Sequence, residues 1–160
     1  MSRRISSTRI EAAAFASAAL APALIGGATF AALGAAPAFA LRLAIFALLI
    51  ALAHVLLLGV PAAWLVRQRH PISWAIAVTM GFVIGALPTG LWAWPLWHTQ
   101  RGMSASDWNG RALVQTVVNG VPTWAGWMQY LRLLMLAGAF GASGGIAYWW
   151  VRRRLLRAAR

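Results

Sequence analysis

Leu43 to Leu91 reads LAIFALLIALAHVLLLGVPAAWLV, then RQRH, then PISWAIAVTMGFVIGALPTGL. Two uncharged runs flank a short corner that carries Arg67, Arg69 and His70. An apolar run of 18 or more residues is long enough to cross a bilayer as a helix. The stretch therefore reads as a hairpin with spans over 43–66 and 72–91. Basic connecting segments are retained on the cytoplasmic side, so the corner is expected there. Pro71 is expected to open the second arm, a position it tolerates well.

Composition supports the same solvent. Of the 160 residues, 61% are hydrophobic and 10% charged, too few polar groups to clothe a water-soluble domain of this size. There are no cysteines, so no disulfide framework and no thiolate chemistry. All 14 basic residues are Arg, which together with the abundant Ala suggests a GC-rich bacterial genome. A net charge of +12 raises the question of nucleic acid. Basic residues flanking membrane spans account for it more simply, and no nucleic-acid partner is expected.

Upstream, residues 12–41 carry no charge, and a first span is expected over about 12–33. Ala19, Ala23, Gly27, Ala31 and Ala35 recur every four residues and form a smooth ridge for close helix approach. Pro22 should kink this helix. A competing reading takes the segment as a cleaved signal, from a weak twin-arginine start at Arg3-Arg4 and an A-x-A site at Ala38-Phe39-Ala40. Its apolar part is longer than the roughly 15 residues of an ordinary signal.

Downstream, Trp92, Trp94 and Trp97 mark the outer membrane boundary, followed by His98. Residues 92–131 form the outer loop. Within it Ser104-x-x-Asp107 resembles a capping box, and Val114, Val117, Val118 and Val121 recur at helical spacing. A short amphipathic helix lying on the outer surface is expected there. A fifth span over 112–131 is rejected because of its polar residues and the Asn119-Gly120-Val121-Pro122 break. The last span is expected over 133–151, followed by a basic tail, 152–160. The fold expected is thus all-α, a single four-span bundle with both termini in the cytoplasm of a bacterial inner membrane.

Candidate functional residues are few. His54 lies mid-span on a small-residue face with Ala44, Ala47 and Ala51, so it should point into the bundle. Thr79 and Ser143 fall at a similar depth, and the three make a candidate intramembrane polar site. His54 is read either as a packing hydrogen bond to Ser143 or Thr79, or as a functional group in a relay or ligand site. Gly81 and Gly85, and Gly138, Gly141 and Gly145, form helix-packing stripes. Arg67, Arg69, Arg152, Arg153 and Arg154 set topology and meet anionic lipid headgroups. The acids Glu11 and Asp107 fall on opposite sides of the membrane, Glu11 too shallow for a transport carboxylate and Asp107 at a helix start. No catalytic, cofactor or metal motif is present in the sequence. The first functional expectation is a non-catalytic accessory or structural subunit that assembles with itself or another membrane protein through its small-residue faces. The second is a small transporter or channel with a midplane site near His54, motivated by Pro22, Pro61 and Pro88.

Charge placement tests the topology. Arg3, Arg4, Arg9, Arg67, Arg69, Arg152, Arg153, Arg154, Arg157 and Arg160 fall on one side, and Arg42, Arg101, Arg111 and Arg132 on the other. A reporter active only outside the inner membrane should stay dark when fused to either terminus and light up when inserted near residue 102. Activity at a terminus would overturn the orientation.

Overall fold

The computed structural model describes residues 7–96, 100–108 and 110–159. Arg3, Arg4, Trp97, His98 and Arg160, which enter the reasoning above, lie outside them. The chain is mostly helical, and four helical segments are long and apolar enough to cross a bilayer. The first is α1, Ser7–Ala32. The second runs from α2, Pro37–His54, through a π-helical turn, Val55–Gly59, into α3, Val60–Arg67. The third is α4, Trp74–Trp92, and the fourth is α5, Trp124–Ala158.

Local chemistry fixes several ends. Gly34, at φ +84°, makes the left-handed turn that stops α1, and Pro37 opens α2 after it. Ser73 caps α4, its Oγ accepting from the Ile76 N–H at 3.3 Å. Pro71 therefore stands before the helix rather than opening it. Thr123 caps α5 in the same way, accepting from the Gly126 N–H at 3.3 Å. The fourth helix consequently begins well before residue 133, and Trp124, Trp127 and Tyr130 belong to it rather than to the outer loop. Pro61 supplies a cause for the π turn. It has no N–H to give a carbonyl one turn back, and its ring crowds that turn, so the backbone widens and Val60 N–H bonds Val55 O instead.

The loop between α4 and α5 contains a sheet, not the amphipathic helix expected. Strands β1, Ala105–Trp108, β2, Leu113–Val118, and β3, Val121–Pro122, pair antiparallel in the order β1-β2-β3. Asn119 (φ 50°) and Gly120 (φ 79°) both adopt positive φ, which a two-residue turn between right-twisted strands requires. Over residues 113–116, Val114 and Thr116 are covered while Leu113 and Gln115 are exposed, a period of two, and Val117 and Val118 are both partly covered. Val114, Val117, Val118 and Val121 thus serve as β-branched strand residues. Ser104 and Asp107 do not cap a helix. Ser104 Oγ accepts from the Asn119 N–H at 3.2 Å, and Asp107 accepts from the Trp108 N–H at 2.7 Å and from the Gln129 side chain. Thr123 secures the sheet to α5, its N–H donating to Thr116 O at 2.9 Å and its hydroxyl to Gln115 O at 2.6 Å. Beneath it Trp94, Trp127 and Tyr130 stack edge-to-face, with centroids 5.7–6.1 Å apart.

The helices pack where side chains are smallest. An added Cβ on Gly81 would overlap the carbonyl of Gly141, and one on Gly141 would overlap the carbonyl of Gly81. Gly85 faces the Ala137 carbonyl and Gly145 the Ala77 carbonyl in the same manner. Backbones this close gain dispersion and weak Cα–H···O contacts along the whole crossing of α4 and α5. Gly144 brings α5 against α1, where a Cβ would stand 2.6 Å from Ala18 O. Gly27 brings α1 against α2, 2.9 Å from the Ala44 Cβ. Gly138 faces the Phe82 ring, so the close approaches of all these glycines lie within the one chain. Both described termini lie at one end of the bundle, the basic end, and the sheet lies at the other.

Gly141→Val should force α4 and α5 apart and cost about 3 kcal/mol, at the upper end of overpacking penalties. Gly26→Ala, whose added methyl meets only the Phe140 ring at 3.8 Å, should be neutral or stabilising by about 0.5 kcal/mol. Reversible unfolding in mixed micelles measures both.

Candidate functional site: an apolar cleft ending at an ion-pair cluster

The second helical segment packs on α1 through α2 and is only sparsely held at its π turn, which approaches α1 and α4. At the sheet end, α2 rests on α1 through Ala44 and Gly27. Midway, only its π turn approaches α4. The gap this leaves is a half-enclosed cleft of about 400 Å³, bounded by α1, α2, the π turn, α4 and α5. That volume falls in the range of about 300–1,000 Å³ typical of small-molecule sites. The walls run from Phe30, Leu43 and Thr89 to Ala63, Ile72 and Tyr148. They are almost wholly apolar, and His54, Thr89 and Tyr148 are their only polar side chains.

The cleft ends at the basic end in a charged cluster. Arg67, the last residue of α3, donates through Nη2 to Glu11 Oε2 and to Tyr148 Oη, the latter at 2.5 Å. Tyr148 Oη donates to Glu11 Oε2 at 3.0 Å, and Arg152 Nε donates to Glu11 Oε1 at 2.7 Å. Three helical segments, α1, α3 and α5, are therefore tied by one carboxylate. The side chains of Glu11, Arg67 and Arg152 are 21–31% exposed, so water screens the pairs only partly. Phe15 packs on Tyr148 with centroids 5.0 Å apart, and Ala14, Ala63, Ile72 and Ala77 complete the buried cluster beneath.

Sequence reasoning assigned Arg67 and Arg152 to topology and found no role for Glu11; the structure makes Glu11 the hub of the cluster. In the sequence these arginines stand out only as positive charges at the ends of apolar runs, and nothing in it links residues 11, 67, 148 and 152. Arg153 and Arg154 stack over Trp149 and Trp150, at 5.0 and 4.9 Å from the ring centroids, and Arg69 is exposed at the corner.

His54, Thr79 and Ser143 are not brought together. His54 does lie on the inward face with Ala47 and Ala51 and lines the cleft. Its Nδ1 is 2.7 Å from Ile50 O, and since a carbonyl can only accept, Nδ1 carries a proton. Ser143 donates to Phe140 O at 2.6 Å in its own helix and lines a separate shallow groove with Ala21, Ile25 and Trp150. Thr79 is exposed. The packing bond expected from His54 to Ser143 or Thr79 is thus replaced by a bond within its own helix. Among the described residues no three His, Asp or Glu side chains converge as metal ligands.

The chain matches no protein-family model, and no curated protein or solved structure is detectably similar to it.

Glu11→Gln removes the charge that two guanidinium groups share. It should cost about 2 kcal/mol, less than the 3–5 kcal/mol for breaking a fully buried pair. Tyr148→Phe, which keeps the ring, should cost about 1 kcal/mol. Equal stability of Glu11→Gln and wild type in chemical unfolding would refute a structural role for the cluster.

Proposed function

We propose that this is a non-catalytic accessory protein of the bacterial inner membrane, with both termini in the cytoplasm, that works by holding an apolar guest from the bilayer in its cleft. The half-enclosed apolar cleft carries this proposal. In lipid, such a slot is filled by hydrocarbon, because an empty one forfeits the dispersion contacts of its walls. The small-residue faces support assembly with other proteins less well than expected, since the α4–α5 and α1–α5 contacts already occupy them. A transport route through the midplane has one supporting feature, the imidazole of His54 in the cleft wall beside the π turn. The apolar walls around it offer an ion or polar solute nothing to replace its water.

The orientation follows the ten-to-four division of arginines, and the cluster refines rather than removes it. Glu11 neutralises one charge at the basic end and leaves the excess in place.

Ala51→Phe places a ring in the slot at mid-depth. Native mass spectrometry of the delipidated protein should show a retained hydrophobic adduct on wild type and its loss from Ala51→Phe, at unchanged helical content. Undiminished adduct on the filled variant would overturn the proposal.

A further inference from the structure

We infer that the guest is an anionic phospholipid, with one acyl chain in the slot and its phosphate held by Arg67 and Arg152; this rests on the guest-holding role proposed above. The dimensions come first. Along α1 the cleft is lined from Phe15 to Phe30, 15 residues, or about 22 Å at about 1.5 Å per residue. A cleft of that length with almost wholly apolar walls matches a single extended hydrocarbon chain.

The chemistry at the closed end then selects the headgroup. Tyr148 both lines the slot and contacts the Arg67 guanidinium, so a chain lying in the slot ends beside that charge. Both Glu11 oxygens are engaged, and two guanidinium groups against one carboxylate leave a charge of +1. Donors remain unused as well. Arg67 bonds Glu11 and Tyr148 through Nη2 alone, so its Nη1 is unengaged among the described residues. Arg152 bonds Glu11 through Nε alone, so its two terminal nitrogens are unengaged among the described residues. A phosphate monoanion supplies the acceptors and the charge that this end lacks. Arg69, exposed two residues beyond Arg67, adds to the local field. A neutral guest would fill the slot equally well and leave those donors and that charge unmet.

The test uses the full-length protein in detergent, offered phosphatidylglycerol and phosphatidylcholine with identical chains and read by native mass spectrometry. Wild type should retain the anionic lipid at least fivefold better. Arg152→Gln should reduce that preference about fivefold, the effect expected of one surface cation. Arg42→Gln, which removes the same charge at the sheet end, should leave it intact. Raising the ionic strength should weaken retention of the anionic lipid alone, a reading that needs no variant and stands even if Arg152→Gln misfolds. Equal retention of the two lipids by wild type, or equal effects of Arg42→Gln and Arg152→Gln, would overturn the inference. If both lipids were retained equally and both were lost in Ala51→Phe, the guest would be apolar without headgroup selection: the cleft keeps its role and the anionic assignment fails. Retention of neither lipid would overturn both.

Discussion

The carboxylate of Glu11 holds the architecture together at one end. It takes hydrogen bonds from Arg67 of the second helical segment and from Tyr148 and Arg152 of the fourth, so α1, α3 and α5 cannot separate there without exposing unpaired charge to a poorly solvated site. At the other end the same second segment is held by the contact of Ala44 with Gly27. Between the two attachments it is only sparsely held at its π turn, which Pro61 sets and which changes its course. The cleft follows from that arrangement. It is the space left when a long helix is fastened at both ends, while the helices opposite it, α4 and α5, draw together as closely as backbones allow.

Glycine determines how that second half of the molecule behaves. In water, two such helices would associate to bury apolar surface; in lipid that drive vanishes, and close backbone approach takes its place. The reciprocal contact of Gly81 with Gly141 and the approach of Gly85 to the Ala137 carbonyl are the geometry that rule demands. They also explain why the buried residues are mostly Ala and Gly and why large side chains such as Leu49, Leu56 and Leu57 face outward. An inside-out distribution of this kind suits a hydrocarbon solvent and would be untenable in water.

Sequence periodicity located the four long helices because the signal is strong: charge is absent over a bilayer's width and returns at both edges. It also placed Ala47, Ala51 and His54 on the inward face. The outer loop was read wrongly for a specific reason. Val114, Val117, Val118 and Val121 satisfy helical spacing, but a run rich in Val and Thr followed by Asn-Gly is equally the signature of a hairpin, and the β-branched side chains and the positive φ of Asn119 and Gly120 decided the competition. Glu11 was illegible for a different reason. Its partners lie 56, 137 and 141 residues away, and no local pattern records such a meeting.

Charge placement and cleft chemistry converge at the basic end. An arginine count can orient a chain without requiring any arginine to have a particular neighbour, so topology alone would leave Arg67 and Arg152 free to snorkel separately. Instead they are drawn inward to one carboxylate, at the expense of their hydration. A single acid is enough to bring two guanidinium groups together but not enough to neutralise them. A cluster built only for stability would be expected to balance its charge, because an unpaired cation near the hydrocarbon lowers the benefit of the pair. The residual positive charge stands beside the basic end of the apolar cleft, where Tyr148 belongs to both.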